Sequence, residues 1–158
     1  MGLDMYLIKR EKECKRELWD FDEEMIYWRK ANAIHKFLCD NGEEITEQII
    51  YKVSKTNLED LLDKCKEVLE KAVLEKGKIQ NGRRLTKEGW QPILEDGYTI
   101  VNEEEISDIL PTCEGFFFGS TDYDQYYLSD ILKTKEELEK ILPTIDFEKD
   151  DVYYLASW

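Results

Sequence analysis

Two stretches of this chain concentrate residue types that can bind or react. From Trp28 the sequence runs Trp-Arg-Lys-Ala-Asn-Ala-Ile-His. On a helix, Arg29, Asn32 and His35 would follow one another at i, i+3 and i+6, with Trp28, Asn32, His35 and Cys39 in the neighbouring row. Arginine supplies a forked donor, asparagine a donor and an acceptor, and tryptophan a flat face. Together they can hold a planar ring that carries an anion. The plainer reading buries Trp28 in the core and pairs Arg29 with a nearby carboxylate. The second stretch, residues 115–127, reads GFFFGSTDYDQYY. Between an expected strand and an expected helix start, Gly119, Ser120 and Thr121 would turn backbone N–H groups and two hydroxyls toward a phosphate or carboxylate. Tyr123, Tyr126 and Tyr127 add stacking faces and phenols. Capping of the next helix by Ser120 or Thr121 explains the same residues without a ligand, and Asp122 and Asp124 compete for the same positive pole. The candidate binding residues are Trp28, Arg29, Asn32, His35, Ser120, Thr121, Tyr123 and Tyr127.

The same inventory excludes several chemistries. His35 is the one histidine, and no Gly-x-Ser-x-Gly elbow accompanies it, so no nucleophile–histidine set is assigned. Neither a Walker A sequence nor Gly-x-Gly-x-x-Gly occurs. Asp122-Tyr123-Asp124 opens like a calcium loop but lacks the glycine that should follow; a magnesium site on Asp122 and Asp124 stays open as a weaker option. Cys14, Cys39, Cys65 and Cys113 form no Cys-x-x-Cys pair, which argues against zinc and fits free thiols. A binding protein without cofactor is favoured over an enzyme.

Hydrophobic periodicity supplies the elements that must position these residues. Leu3, Met5 and Leu7 alternate with Asp4, Tyr6 and Ile8, as a half-buried strand does. Residues 9–22, with Trp19 and Phe21, read as a loop. Tyr27, Ala31, Ile34 and Leu38 predict a helix from Glu23 to about Asp40, stopped by Asn41-Gly42. Residues 45–53 read as one strand with Ile49, Tyr51 and Val53 on a face. Thr56 with Glu59 resembles a capping box for a helix whose stripe runs Leu58, Leu61, Leu62, Cys65, Val68, Leu69, Ala72. Residues 77–105, with Asn81-Gly82, Gly89, Pro92 and Asp96-Gly97, predict a hairpin or irregular excursion. Phe116, Phe117 and Phe118 read as a buried strand against which Trp28 packs. A third helix carries Leu128, Ile131, Leu132, Leu138, Ile141 and Leu142, with a break or kink where Thr134 and Glu137 repeat the capping pattern. Val152 to Ala156 closes the chain as a strand. The expected fold is α+β, a single domain over residues 1–158 with three helices packed on a small four- to six-stranded mixed sheet.

Composition supports that class. A chain of 158 residues with 42% hydrophobic content can build a core without metal or disulfide staples. No apolar run reaches the roughly 20 residues of a membrane span, and the charges of MGLDMYLIKR follow its apolar residues, the reverse of a signal peptide. A cytoplasmic location is expected. The formal charge is −14, and residues 91–158, with 4 basic and 17 acidic side chains, hold −13 of it. Such a field repels nucleic acid and anionic lipid and attracts basic protein surfaces; it also simply keeps a protein soluble.

The segments MGLDMYL, YWRKANAIHKF, LPT with GFFFGSTDYDQYY, and YYLASW resemble a family of small proteins encoded by bacteriophages and prophages. Residues 76–105 fall outside the matching segments. The resemblance implies a phage accessory or counter-defence protein acting in the cytoplasm of the bacterial host cell. Two mechanisms fit. In the first, a non-enzymatic pocket, completed by homo-oligomerisation, sequesters a small nucleotide-like host signal. In the alternative, the acidic segment mimics phosphates and inhibits a host nucleic-acid-binding defence protein. Neither involves direct nucleic-acid or membrane binding.

Overall fold

In the computed structural model, which describes residues 2–17, 22–46 and 50–158, the alternation at the start becomes strand β1 (Asp4–Glu11), with Leu3, Met5 and Leu7 fully buried. It is flanked by β2 (Glu23–Arg29) on one edge and by the strand Asp150–Ser157 on the other. The helix expected over Glu23–Asp40 is therefore corrected: only Asn32–Asn41 is helical (α1), and Ile26 and Trp28 are buried while Tyr27 and Arg29 are exposed. That is a period of two, in a segment whose Ile-Tyr-Trp run favours a pleated, half-buried surface. Lys30, with φ of 56°, turns the chain between strand and helix.

The single strand expected over 45–53 is instead a pair, β3 (Glu43–Thr46) and β4 (Ile50–Val53); Ile49 lies outside the described residues, as do Trp19 and Phe21. Helix α2 (Lys55–Lys71) is capped by Ser54, whose hydroxyl accepts from Asn57 N–H while the Asn57 side chain accepts from Ser54 N–H. This capping box lies two residues before the Thr56–Glu59 pair. Leu58, Leu61, Cys65 and Val68 form the buried stripe of α2. Leu74–Thr86 (β5) and Gly89–Ile100 (β6) make the second, two-stranded sheet, an antiparallel ribbon in the region read as a hairpin or excursion. Its turn falls at Lys87-Glu88, and Asn81-Gly82 is a bulge, with Gly82 at φ of 94°. A short helix, α3 (Glu103–Ile109), follows, then α4 (Gln125–Ile141), a single 3-10 turn over Leu142–Thr144, and Asp150–Ser157 as β7.

The main sheet has the order β2-β1-β7-β4-β3 with every pair antiparallel, so it is not mixed; among the described residues four α-helices, not three, accompany two sheets. α4 is continuous through Thr134 because that side chain serves the core: its hydroxyl donates to Asp130 O at 2.7 Å and accepts from Trp28 Nε1–H at 2.9 Å. The expected kink there is corrected for that reason. Residues 115–119 form turns and not a buried strand. Phe116 is 75% exposed and Phe117 38%, and only Phe118 is buried, its ring lying so close over Gly115 that a Cβ there would come within 2.3 Å. Trp28 thus packs toward α4, not against a phenylalanine strand.

Candidate functional site

The start of β1 ties together two loops that sequence spacing keeps far apart. Leu3 N–H donates to Phe117 O at 3.2 Å, and Lys30 N–H donates to Leu3 O at 2.7 Å. Both partners are non-glycine residues in the left-handed region, Lys30 at φ 56° and Phe117 at φ 65°. Such conformations cost of order 1 kcal/mol each and persist where the surroundings over-determine them, often beside a functional surface. Here the two residues flank a cleft of about 1000 Å³ that is partly open to solvent. Its walls are the β2–α1 joint, the 115–120 loop, the Gln80–Arg83 bulge with Trp90 of the ribbon, and the first two turns of α4.

The joint carries an unusual charge arrangement. A Cβ at Gly2 would stand 2.9 Å from Lys30 Cε and 3.3 Å from Arg29 Nη2, so both cationic side chains cross the same bare backbone. Gly119, at φ 87°, likewise lets the Lys30 stem pass, a Cβ there lying 3.2 Å from Lys30 Cβ. Among the described residues no carboxylate is in ion-pair range of Arg29, Lys30 or Arg83, all three of which line the cleft. Beside them opens the N-terminus of α1. Ala31 at its N-cap has no side-chain oxygen to offer, and the N–H groups of Ala33 and Ile34, two residues that line the cleft, have no acceptor among the described residues. Unpaired donors at a helix start favour an anion.

Asn32 faces the cleft but is already engaged. It is 4% exposed; Nδ2 donates to Phe118 O at 3.1 Å and Ser120 O at 2.9 Å, and Oδ1 accepts from Cys113 N–H at 3.3 Å. It is the clamp of the 113–120 loop. The capping expected of Ser120 or Thr121 is corrected: α4 is capped by Asp124, whose Oδ1 accepts from Tyr126 and Tyr127 N–H and so occupies that helix end with a carboxylate of the chain itself. Ser120 instead accepts from Asp122 N–H at 3.1 Å, exposed at the cleft edge, and Thr121 offers its carbonyl to Thr112.

The eight residues singled out by sequence therefore separate. Arg29 and Ser120 line the cleft, as do Asn32 and Tyr127, whose polar atoms are committed to structure; the Tyr127 hydroxyl donates to Leu110 O at 2.7 Å. Trp28 is a core residue. Tyr123 receives Thr112 N–H on its hydroxyl, lies tilted against the Tyr127 ring at 5.0 Å and does not line the cleft. His35 is 6% exposed, with Nδ1 2.6 Å from the Tyr154 hydroxyl and its ring edge-on to Phe118 and Trp158. Burial pushes its pKa down to about 4, so the ring is neutral. The row Arg29-Asn32-His35 does not exist, because Arg29 belongs to a strand.

Sequence reading missed Lys30, Arg83, Trp90, Phe116, Phe117 and Asp130 as cleft residues. Trp90 is 65% exposed, and a large exposed aromatic beside unpaired cations is the signal that tertiary structure supplies. Asp130, part-buried in the α4 wall, has its carboxyl pKa raised to about 6 by burial. Asp124 is shifted upward for the same reason. Among the described residues no three His, Cys, Asp or Glu side chains gather as a metal site needs. Cys39 is pushed up to about 11 by burial, far from thiolate reactivity at neutral pH. No described helix is long and apolar enough to cross a membrane.

Compared with protein-family models, with curated proteins and with solved structures, the chain matches none.

Proposed function

We propose that the cleft binds a small molecule in which a planar ring is joined to an anionic group, a nucleotide-like ligand, and holds it without transforming it. The observation that carries this reading is the meeting of Arg29 and Lys30 over Gly2, unpaired, beside the uncapped start of α1 in a chain of net charge −14. Two like charges brought together without a carboxylate are stabilised by an anion supplied from outside. Trp90 and Phe116 offer exposed aromatic faces on the same cleft, whose volume lies at the upper end of the roughly 300–1,000 Å³ of small-molecule sites.

Sequestration is favoured over turnover because the chain's one histidine and its neighbouring thiol are otherwise employed. His35 is neutral, buried and bonded to Tyr154, and Cys39 is held in its thiol form. In a bacteriophage accessory protein, the role suggested by the resembling segments, such a binder would withdraw a host signal. The acidic-surface reading has less behind it. Glu139, Glu137, Asp146 and Asp151 are each matched by a nearby lysine, and Glu103, Glu104 and Glu105 complement the dipole of their own helix.

Thermal shift and calorimetry with a nucleotide panel test the proposal, with mass spectrometry of the recovered ligand. Saturation at 100 times Kd stabilises the fold by about 2.7 kcal/mol, a shift of several degrees. The shift should vanish in the Arg29→Ala/Lys30→Ala double variant, whose own Tm stays near wild type, and the ligand should return unchanged. An equal shift in wild type and double variant, or none from any anionic ring compound, overturns it.

A further inference from the structure

Resting on that reading of the cleft, we infer that Asp130 reads the ring end of the ligand and that the ligand is a guanine nucleotide. Asp130 projects from α4 between Tyr127 and Ile131 into the cleft wall. Its backbone carbonyl is taken by Thr134, but its carboxylate has no hydrogen bond or ion pair with any described residue. Lys133, one helical turn along and acting on it electrostatically, donates its ammonium to Tyr27 O. Asp130 stands on α4, whereas Arg29 and Lys30 stand at the β2–α1 joint and Arg83 on β5, so acceptor and anion-holding cations belong to different walls of one cleft. The carboxylate is part-buried on the cleft wall with its oxygens still reaching solvent, and paired donors on a ligand can take the place of the water it has lost.

The chemistry of the acceptor selects the ring. Two carboxylate oxygens side by side accept from two N–H donors side by side, and guanine presents that pair at N1–H and its 2-amino group. Adenine and cytosine place a ring acceptor next to their single amino group, which one carboxylate oxygen would then face. Uracil and thymine flank one N–H with two carbonyls. A bidentate pairing of this kind discriminates by roughly 10- to 100-fold.

Calorimetry on the full chain with GMP, IMP, AMP, CMP, UMP and XMP decides the matter. The expected order places GMP first by roughly 10- to 100-fold over AMP, with IMP, which lacks the 2-amino donor, between them. Asp130→Asn exchanges one acceptor for a donor and should move the preference from GMP to XMP, whose 2-carbonyl meets the new N–H; Asp130→Ala should bind GMP and AMP alike. Thermal melts of both variants report that they are folded. If GMP and AMP bind wild type equally while Arg29→Ala/Lys30→Ala still abolishes binding, the guanine assignment is overturned and the cleft reading stands. Persistence of the GMP preference in Asp130→Asn overturns the assignment as well. If none of the six binds wild type, the guanine assignment falls, and the cleft reading falls with it when the wider panel of anionic ring compounds also gives no shift.

Discussion

Asn32→Ala measures how much of the cleft depends on one side chain. The amide makes three hydrogen bonds, to Phe118 O, Ser120 O and Cys113 N–H, and is 4% exposed. A typical buried hydrogen bond contributes about 1 kcal/mol net, and a buried group left without its partner costs about 1–3 kcal/mol. Ser120 is exposed, so water replaces the amide there, whereas Phe118 is buried and its carbonyl is left wanting. The expected loss is about 2–4 kcal/mol, a drop of roughly 5–15 °C in Tm for a chain of this length. Asn32→Asp has the same shape but sets a carboxylate against two carbonyl oxygens, so it should be worse than alanine at pH 7. The folded state raises the pKa of the introduced carboxyl above its unfolded value. The protonated form therefore supports the fold at low pH, and stability falls as pH rises through the folded pKa. The gap between Asn32→Asp and wild type should accordingly shrink toward pH 4. Urea denaturation at pH 7 and pH 4 reads both effects through the midpoint at constant m. A loss below about 0.5 kcal/mol in Asn32→Ala, the scale of an ordinary surface substitution, would refute the clamp.

Other consequences follow from the same contacts. The pKa of His35 lies near 4 in the fold against an ordinary 6.5, so the fold holds the neutral ring. Stability from this source is complete above pH 6.5 and declines as pH falls toward 4, by at most roughly 3 kcal/mol; His35→Gln should lack that component in parallel urea titrations, and identical pH slopes would contradict the assignment. The Asp130 carboxyl is shifted the opposite way, from 3.8 to about 6, so its contribution is present below 3.8 and lost as pH rises through 6. Asp130→Asn should therefore be about 1–3 kcal/mol more stable than wild type at pH 7 and equal to it near pH 4, measured by the same denaturation. Trp90→Ala removes a side chain that is 65% exposed: stability should change by less than about 0.5 kcal/mol, while nucleotide quenching of tryptophan fluorescence is lost.

Much of the framework was legible because it depends on local periodicity. The alternation of Leu3, Met5 and Leu7, the stripe of α2 and the terminal Val152–Ala156 strand each declare a buried face by spacing alone. Charge, the single histidine and the missing nucleotide motifs are likewise properties of the sequence. The errors lie where short apolar runs fit two periods. Tyr27, Ala31, Ile34 and Leu38 match a helix, yet Ile26 and Trp28 match a strand, and only pairing with β1 through Met5↔Trp28 decides between them. Once Arg29 left the helix, its expected row with Asn32 and His35 could not form. Three phenylalanines read as core because apolar runs usually are; two stand in solvent because the Leu3–Phe117 bond holds their loop at the rim.

Which residues could meet a ligand was decided by tertiary structure. Sequence determined that the chain carries the donors, rings and carboxylates of a binding site. Long-range contacts chose among them: Asn32 was drawn into clamping a loop 81 to 88 positions away, Trp28 into the core against Thr134, and Asp124 into capping its helix. Arg29, Lys30 and Asp130 remained at the cleft with no ion-pair partner among the described residues. The physical reason is that a polar group becomes available to a ligand only when the fold leaves it reachable and does not pair it, and spacing along the chain encodes neither outcome.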